Sequence, residues 1–211
     1  HLANRGDQIA IIWESDDPQK HRNITYAELH EEVCKFSNVL KAQGVKKGDR
    51  VVIYMPMSVE GIVAMQACAR LGAVHSVVFG GFAANELASR IDDCAPKLIV
   101  SASCGIEPSG LVPYKPLLDQ ALELSQHKPK HTIILQRQQL TAELLPGRDL
   151  DWTEMETFAE PVNATAVAST DPLYIIYTSG TTGQPKGVVR DNGGHLVALN
   201  WSMGNIYDIN P

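Results

Sequence analysis

The sequence has no run of lysine or arginine and no basic stripe; 24 acidic residues face 18 basic ones, for a formal net charge of -6. Such a balance argues against a polyanionic partner, so nucleic acid binding is not expected. Long apolar runs are also absent: the longest, at 50–57 and 74–82, fall far short of the roughly 20 residues that a membrane-crossing helix requires. No membrane span is expected. The four cysteines, Cys34, Cys68, Cys94 and Cys104, form no C-x-x-C pair and no zinc-like spacing, which predicts buried free thiols in a reducing, intracellular compartment and no metal site. The cytoplasm and the mitochondrial matrix fit equally. The chain opens at His1, without an initiator Met or a charged start leading into an apolar run, so a piece of a longer polypeptide is expected. There is no internal repeat.

What is present is a composition able to build a core, 44% hydrophobic and 20% charged over 211 residues. Short apolar runs alternate with helical periodicity, the pattern of an α/β fold with a mostly parallel sheet flanked by helices. Thr25 and Glu28 form a capping box, and Leu29, Val33, Phe36 and Leu40 lay an apolar stripe that ends at Gly44. The β-branched run at 50–55 reads as a buried strand ended by Pro56. Ser58 caps a second helix, with Ile62, Met65 and Ala69 expected toward the core and Gly72 closing it before a strand at 74–78. A third helix through Leu87 and Ile91 ends near Pro96 and leads to a strand at 97–101. Residues 103–116, rich in Gly and Pro, read as a surface loop; 117–125 as a helix; 132–135 as a strand; and 136–169 as connecting structure.

The chemistry concentrates after a second buried-strand pattern at 173–177, which runs directly into Thr178, Ser179, Gly180, Thr181, Thr182, Gly183, Gln184, Pro185, Lys186 and Gly187. A strand end holds such a loop rigidly, glycines admit close approach of backbone amides, hydroxyls add donors, and Lys186 supplies a compact positive charge. Polyphosphate is the matching ligand. It is not a Walker A loop, because Pro185 precedes the lysine and Gly187 follows it. On turn chemistry alone, a Ser/Thr/Gly loop that binds nothing is an open alternative. Elsewhere, Phe79, Gly80, Gly81 and Phe82 follow a predicted strand, where a tight packing turn is one reading. His75 reads as a packed histidine, since no Ser/His/Asp constellation surrounds it.

The full ten-residue string at 178–187 resembles the signature of the adenylate-forming superfamily, which includes acyl-CoA synthetases, luciferases and peptide-synthetase adenylation domains. The likeness extends to VVIYMPM at 51–57, ACARLGAVHSVVFGG at 67–81 and SCGIE at 103–107, which resemble the short-chain branch. Within it, ASCGIE at 102–107, YKPLLD at 114–119 and Arg190, Asp191, Asn192, Gly193 and Gly194 resemble propionyl-CoA synthetases more than acetyl-CoA synthetases.

The resemblance implies attack of a short-chain carboxylate, propionate before acetate, on Mg2+-ATP to give an acyl-adenylate, followed by transfer to CoA. It implies that Thr178, Ser179, Gly180, Thr181, Thr182, Gly183 and Lys186 hold the ATP phosphates, and that Phe79, Gly80 and Gly81 lie beside CoA. Where relatives carry arginine for the CoA phosphate, this chain reads Glu107, Pro108, Ser109 and Gly110, which implies weaker CoA binding unless Lys115 or a residue outside this chain substitutes. The chain would then be an incomplete N-terminal AMP-binding domain, 1–170 forming a βα part with its connector and 171–211 the phosphate-loop part. The C-terminal domain with the main adenylation lysine would lie elsewhere in the polypeptide, leaving this piece inactive alone and its sheet edges and apolar faces uncovered. A non-catalytic relative that binds nucleotide or a partner is the alternative.

Overall fold

The computed structural model describes residues 2–15, 19–107, 110–157, 159–178 and 186–209. In chain order the elements are α1 (Leu2–Arg5), β1 (Ile9–Glu14), β2 (His21–Thr25), α2 (Tyr26–Ala42), β3 (Arg50–Met55), α3 (Val59–Leu71), β4 (Val74–Phe79), α4 (Ala84–Cys94) and β5 (Leu98–Ala102). They continue with β6 (Cys104–Glu107), β7 (Gly110–Pro113), α5 (Tyr114–Leu124), β8 (His131–Leu135), β9 (Asp149–Asp151), α6 (Trp152–Thr157), β10 (Pro172–Thr178), β11 (Lys186–Asp191) and α7 (Asn192–Asn205).

Seven strands form the main sheet in the order β11-β10-β4-β3-β5-β8-β9, parallel throughout except for β11. The fold class is therefore α/β with a mostly parallel sheet, as the alternation of patterns predicts. Alternate residues of β3 point to opposite faces, and each face carries its own core. Val51 and Ile53 meet Phe36, Leu40, Val63, Ala67 and Trp152 on the α2, α3 and α6 side. Val52 and Tyr54 meet Leu87, Ile91, Leu118 and Ala121 on the α4 and α5 side. Full burial on both faces explains why β3 is a continuous apolar run.

The local signals are realised closely. The Thr25 hydroxyl accepts from the Glu28 amide while the Glu28 carboxylate accepts from the Thr25 amide at 2.8 Å, so both halves of the capping box are made. Gly44 and Gly72 stand at φ +82° and +67°, in the left-handed region that ends α2 and α3 without strain.

Four expectations are corrected. The buried face of α3 is Val59, Val63, Ala64, Ala67, Cys68 and Leu71, with Ile62, Met65 and Ala69 at its margin, because α2 lies beside α3 and selects that face of an almost wholly apolar helix. Residues 103–116 are not a loop: Cys104–Glu107 and Gly110–Pro113 pair as an antiparallel hairpin, and α5 begins at Tyr114, so Pro116 sits in its first turn, where no amide donor is needed. The connector at 136–169 contains β9 and α6, anchored from afar: β9 pairs with β8, and Trp152 stacks on Phe36 with ring centroids 3.6 Å apart. Finally, β10 is not buried. Ile175 packs on the α4 side, but Ile176 on the opposite face is 49% exposed. The same margin of the molecule presents Val189, Leu196, Val197 and Trp201 to solvent.

No helix among the described residues is long and apolar enough to cross a membrane. All four cysteines are buried free thiols, Cys68 pushed up to about 12 and Cys94 to about 11 by burial.

Candidate functional site

The chain turns between β3, β4 and β5 in opposite directions across the sheet, and in such sheets ligands bind outside the carboxyl ends of the strands. A cleft of about 890 Å³ opens there, its lining including Met55, Phe79, Gly80, Glu107, Tyr114 and Arg137. It extends along β10 past His75, Tyr174 and His195.

The turn after β4 is built on two tyrosines. Tyr54 donates to the carbonyls of Gly80 and Phe82 at 3.1 and 3.2 Å, and its ring stacks with Tyr114 at 5.0 Å between centroids. A Cβ on Gly80 would stand 1.9 Å from the Tyr114 Oη, and one on Gly105 2.4 Å from the same atom, so both positions require glycine. The packing-turn reading of Gly80 is thereby correct in itself. Burial raises Tyr114 to about 12, with Glu107 adding to the rise, and raises Tyr54 further still, so both phenols stay protonated and available as donors. Phe79 ends the strand, 60% exposed, beside the cleft and edge-on to Phe82 with ring centroids 5.7 Å apart.

Next along this edge, β10 and β11 form an antiparallel hairpin in which Thr178 is paired with Lys186. Parallel pairing of Tyr174 with His75 carries Thr178 to the level of Phe79, so the end of the hairpin and the glycine turn share one edge of the sheet. Lys186 is exposed. The remaining loop candidates, Ser179, Gly180, Thr181, Thr182 and Gly183, lie outside the described residues, as do Pro108 and Ser109.

Lys115 is placed elsewhere. It is 5% exposed, and its ammonium bonds Asp119 at 2.6 Å and the fully buried carboxylate of Asp149 at 2.9 Å. Burial pushes the Asp149 carboxyl up, and bonds from Arg148, Thr132, the Leu145 amide and Lys115 outweigh it, holding the group well below the usual range. A cation committed to two carboxylates inside the protein does not reach a ligand phosphate, and Lys115 is therefore withdrawn from the CoA candidates. The cation that does line the cleft is Arg137, whose guanidinium donates to the Cys104 carbonyl at 3.1 Å and has no carboxylate within ion-pair distance among the described residues. Sequence reasoning missed it, because its place depends on β8 delivering residue 137 beside the hairpin.

His75 is packed, as expected. Burial lowers it to about 4, with the neighbouring His195 contributing, and its Nδ1 has no hydrogen-bond partner. Tyr174 lies between the two histidines, its ring 5.6 Å from His75 and its hydroxyl 3.3 Å from His195 Nδ1. Among the described residues no group of three or more His, Cys, Asp or Glu side chains could hold a metal ion.

Comparison with known proteins agrees with this architecture. The family model described as AMP-binding enzyme matches residues 1–210. An uncharacterized protein of Pseudomonas aeruginosa is 56% identical over 203 residues, covering 96% of this chain and 32% of that protein. Acyl-CoA synthetase short-chain family member 3, mitochondrial, of Rattus norvegicus is 53% identical over 213 residues, covering 100% of this chain and 31% of the relative. Acetyl-coenzyme A synthetase of Methylorubrum extorquens is 48% identical over 210 residues, covering 99% and 32%. The chain thus spans about a third of the length of these relatives. With a match over nearly its whole length and a parallel sheet that ends in a Thr178–Lys186 hairpin, the chain belongs to the family of AMP-binding enzymes.

Proposed function

We propose that the intact polypeptide activates a short-chain carboxylate, propionate before acetate, with ATP, forming an acyl-adenylate and then an acyl-CoA. The observation that carries this reading is the pairing of Thr178 with Lys186 at the end of β10, on the same sheet edge as Phe79, Gly80 and Gly81. In this reading the hydroxyl of Thr178, the hydroxyl and glycine positions Ser179, Gly180, Thr181, Thr182 and Gly183, and the charge of Lys186 hold the β and γ phosphates of ATP. Lys186, a mobile counter-charge carried on a strand end, stabilises the charge that develops as pyrophosphate leaves. Mg2+ enters as the counter-ion of ATP.

CoA lies along the glycine turn, where the exposed Phe79 ring offers a face for the nucleotide base. With Lys115 turned inward, Arg137 is the cation nearest to hand for a CoA phosphate, and the replacement of arginine at 107–110 weakens CoA binding relative to arginine-bearing relatives. The polypeptide works inside the cell, in cytoplasm or mitochondrial matrix. Its other domains supply the adenylation lysine and cover the apolar margin formed by β10, β11 and α7.

The test is carboxylate-dependent exchange of pyrophosphate into ATP by the intact polypeptide, with acetate, propionate and butyrate compared. Exchange fastest with propionate is expected. Absence of exchange with every acid would refute adenylation and favour the non-catalytic, nucleotide-binding alternative; a preference for acetate would refute the substrate assignment alone.

A further inference from the structure

One side chain of helix α4 touches both the turn that follows β4 and the end of β10. The Arg90 Cζ lies 4.4 Å from the centroid of Phe82, the residue that closes the glycine turn, and 5.5 Å from the centroid of Tyr177, the residue before Thr178. The guanidinium is held between these rings by its own helix: Nη1 donates to the Glu86 carbonyl at 2.7 Å and to the Glu86 carboxylate at 2.8 Å. Its side chain is 8% exposed, so the charge is largely out of water. Tyr177 is fastened a second time, its hydroxyl donating to Asp93 of the same helix at 2.6 Å.

This bridge replaces something the backbone does not provide. Strands β4 and β10 are paired only at His75 and Tyr174, well before either strand ends. At the level of Phe79 and Thr178 the described backbone shows no ladder between the two strands, although a parallel pair could carry one to its end. What spans the gap is the Arg90 cation, held against Phe82 in the turn after β4 and against Tyr177 near the end of β10, and a planar guanidinium can lie along both rings where a compact ammonium cannot stack.

We infer that Arg90 is a positioning residue, which locks the stem of the phosphate loop to the glycine turn so that the nucleotide side and the CoA side of the site move as one body. It acts through the Phe82 and Tyr177 rings. The inference rests on the functional reading given above for the two sides, but the mechanical coupling itself does not. Both half-reactions use one site, so a fixed spacing between the two loops preserves the geometry of the acyl-adenylate when CoA arrives.

The experiment compares Arg90→Met, Arg90→Lys and Tyr177→Leu in the intact polypeptide with wild type. Hydrogen exchange is followed in peptides covering 79–83 and 172–178, beside KM for ATP and CoA and the melting temperature. Arg90→Met is expected to speed exchange in both segments together and to raise both KM values by about tenfold, the size of one desolvated cation–π contact, with a smaller change in kcat. Arg90→Lys keeps the link to Glu86, and is expected to melt near wild type yet still loosen both segments. Tyr177→Leu is expected to loosen 172–178 while leaving 79–83 at the wild-type rate. Loss of melting temperature with both segments exchanging as in wild type would make Arg90 an ordinary helix residue and overturn the inference, as would loosening of only one segment by Arg90→Lys. Should Arg90→Met fail to fold, the Arg90→Lys comparison decides in the same way. If wild type shows no pyrophosphate exchange, the proposed function falls, while the exchange rates of the two segments still report on the coupling.

Discussion

Thr178 and Lys186 stand opposite one another as the last described pair of the β10–β11 hairpin. A hydroxyl and an ammonium are thereby presented together at the carboxyl end of a parallel strand. Replacement of Lys186 by Ala in the intact polypeptide is expected to lower kcat for pyrophosphate exchange by about 10²–10³-fold, the usual loss for one charge-stabilising group. Far-ultraviolet circular dichroism should not change, since the side chain is exposed. A variant within twofold of wild type would remove Lys186 from the phosphate site.

Gly80 is dictated by Tyr114. With a Cβ at 1.9 Å from the phenol oxygen, Gly80→Ala forces either the turn or the tyrosine to move, at a cost of about 1–3 kcal/mol as for overpacking generally. Urea denaturation measures this. Because the two positions share one contact, the double variant Gly80→Ala with Tyr114→Ala should lose less than the sum of the single losses.

Lys115 separates a structural role from a ligand role. Lys115→Met leaves the buried Asp149 short of one partner, and is expected to cost about 3 kcal/mol in urea denaturation, the low end for a broken buried pair because Arg148 still bonds the carboxylate. KM for CoA should stay unchanged. A rise in KM with unaltered stability would restore Lys115 to the CoA site.

Glu156 gives the protein a stability that falls with pH between about 4.5 and about 7. Burial raises its carboxyl from 4.5 to about 7, a bond from Trp152 opposing and Glu32 adding to the shift. The folded group holds its proton more tightly than the unfolded one, so its contribution is complete below pH 4.5 and is lost as pH rises through about 7. Glu156→Gln should therefore raise the melting temperature at pH 8, on the order of a few degrees, and change it little at pH 5. An equal change at both pH values would contradict the assignment.

What could be read beforehand follows the range of the interactions. The Thr25–Glu28 box and the left-handed Gly44 and Gly72 are set by neighbours in sequence, and the doubly buried β3 shows as a continuous apolar run, so each was legible. The buried face of α3 was not, because Val59, Ile62, Val63, Ala64 and Met65 leave several apolar stripes open until α2 chooses one. Strand β9 and helix α6 escaped for a related reason: three strand residues and one turn and a half of helix have little periodicity, and their stability comes from β8 and Phe36. In the site, the phosphate-loop string stood out because it is contiguous. Tyr54, Tyr114, Arg137 and the Arg90 bridge are scattered over more than eighty residues, and only the fold gathers them.

The place of β10 in the sheet has a kinetic side. Its parallel partner β4 lies about half the chain earlier, with β5, β8 and β9 intervening in sequence, so the β10–β11 hairpin can close on itself long before it finds His75. Loop-closure entropy delays such a distant pairing until the central strands are assembled. The hairpin that carries Thr178 and Lys186 is thus expected to be the last part of the sheet to dock. An exposed strand edge waits during synthesis until it docks, and the segment proposed to receive ATP is the one whose docking a bound ligand would most stabilise.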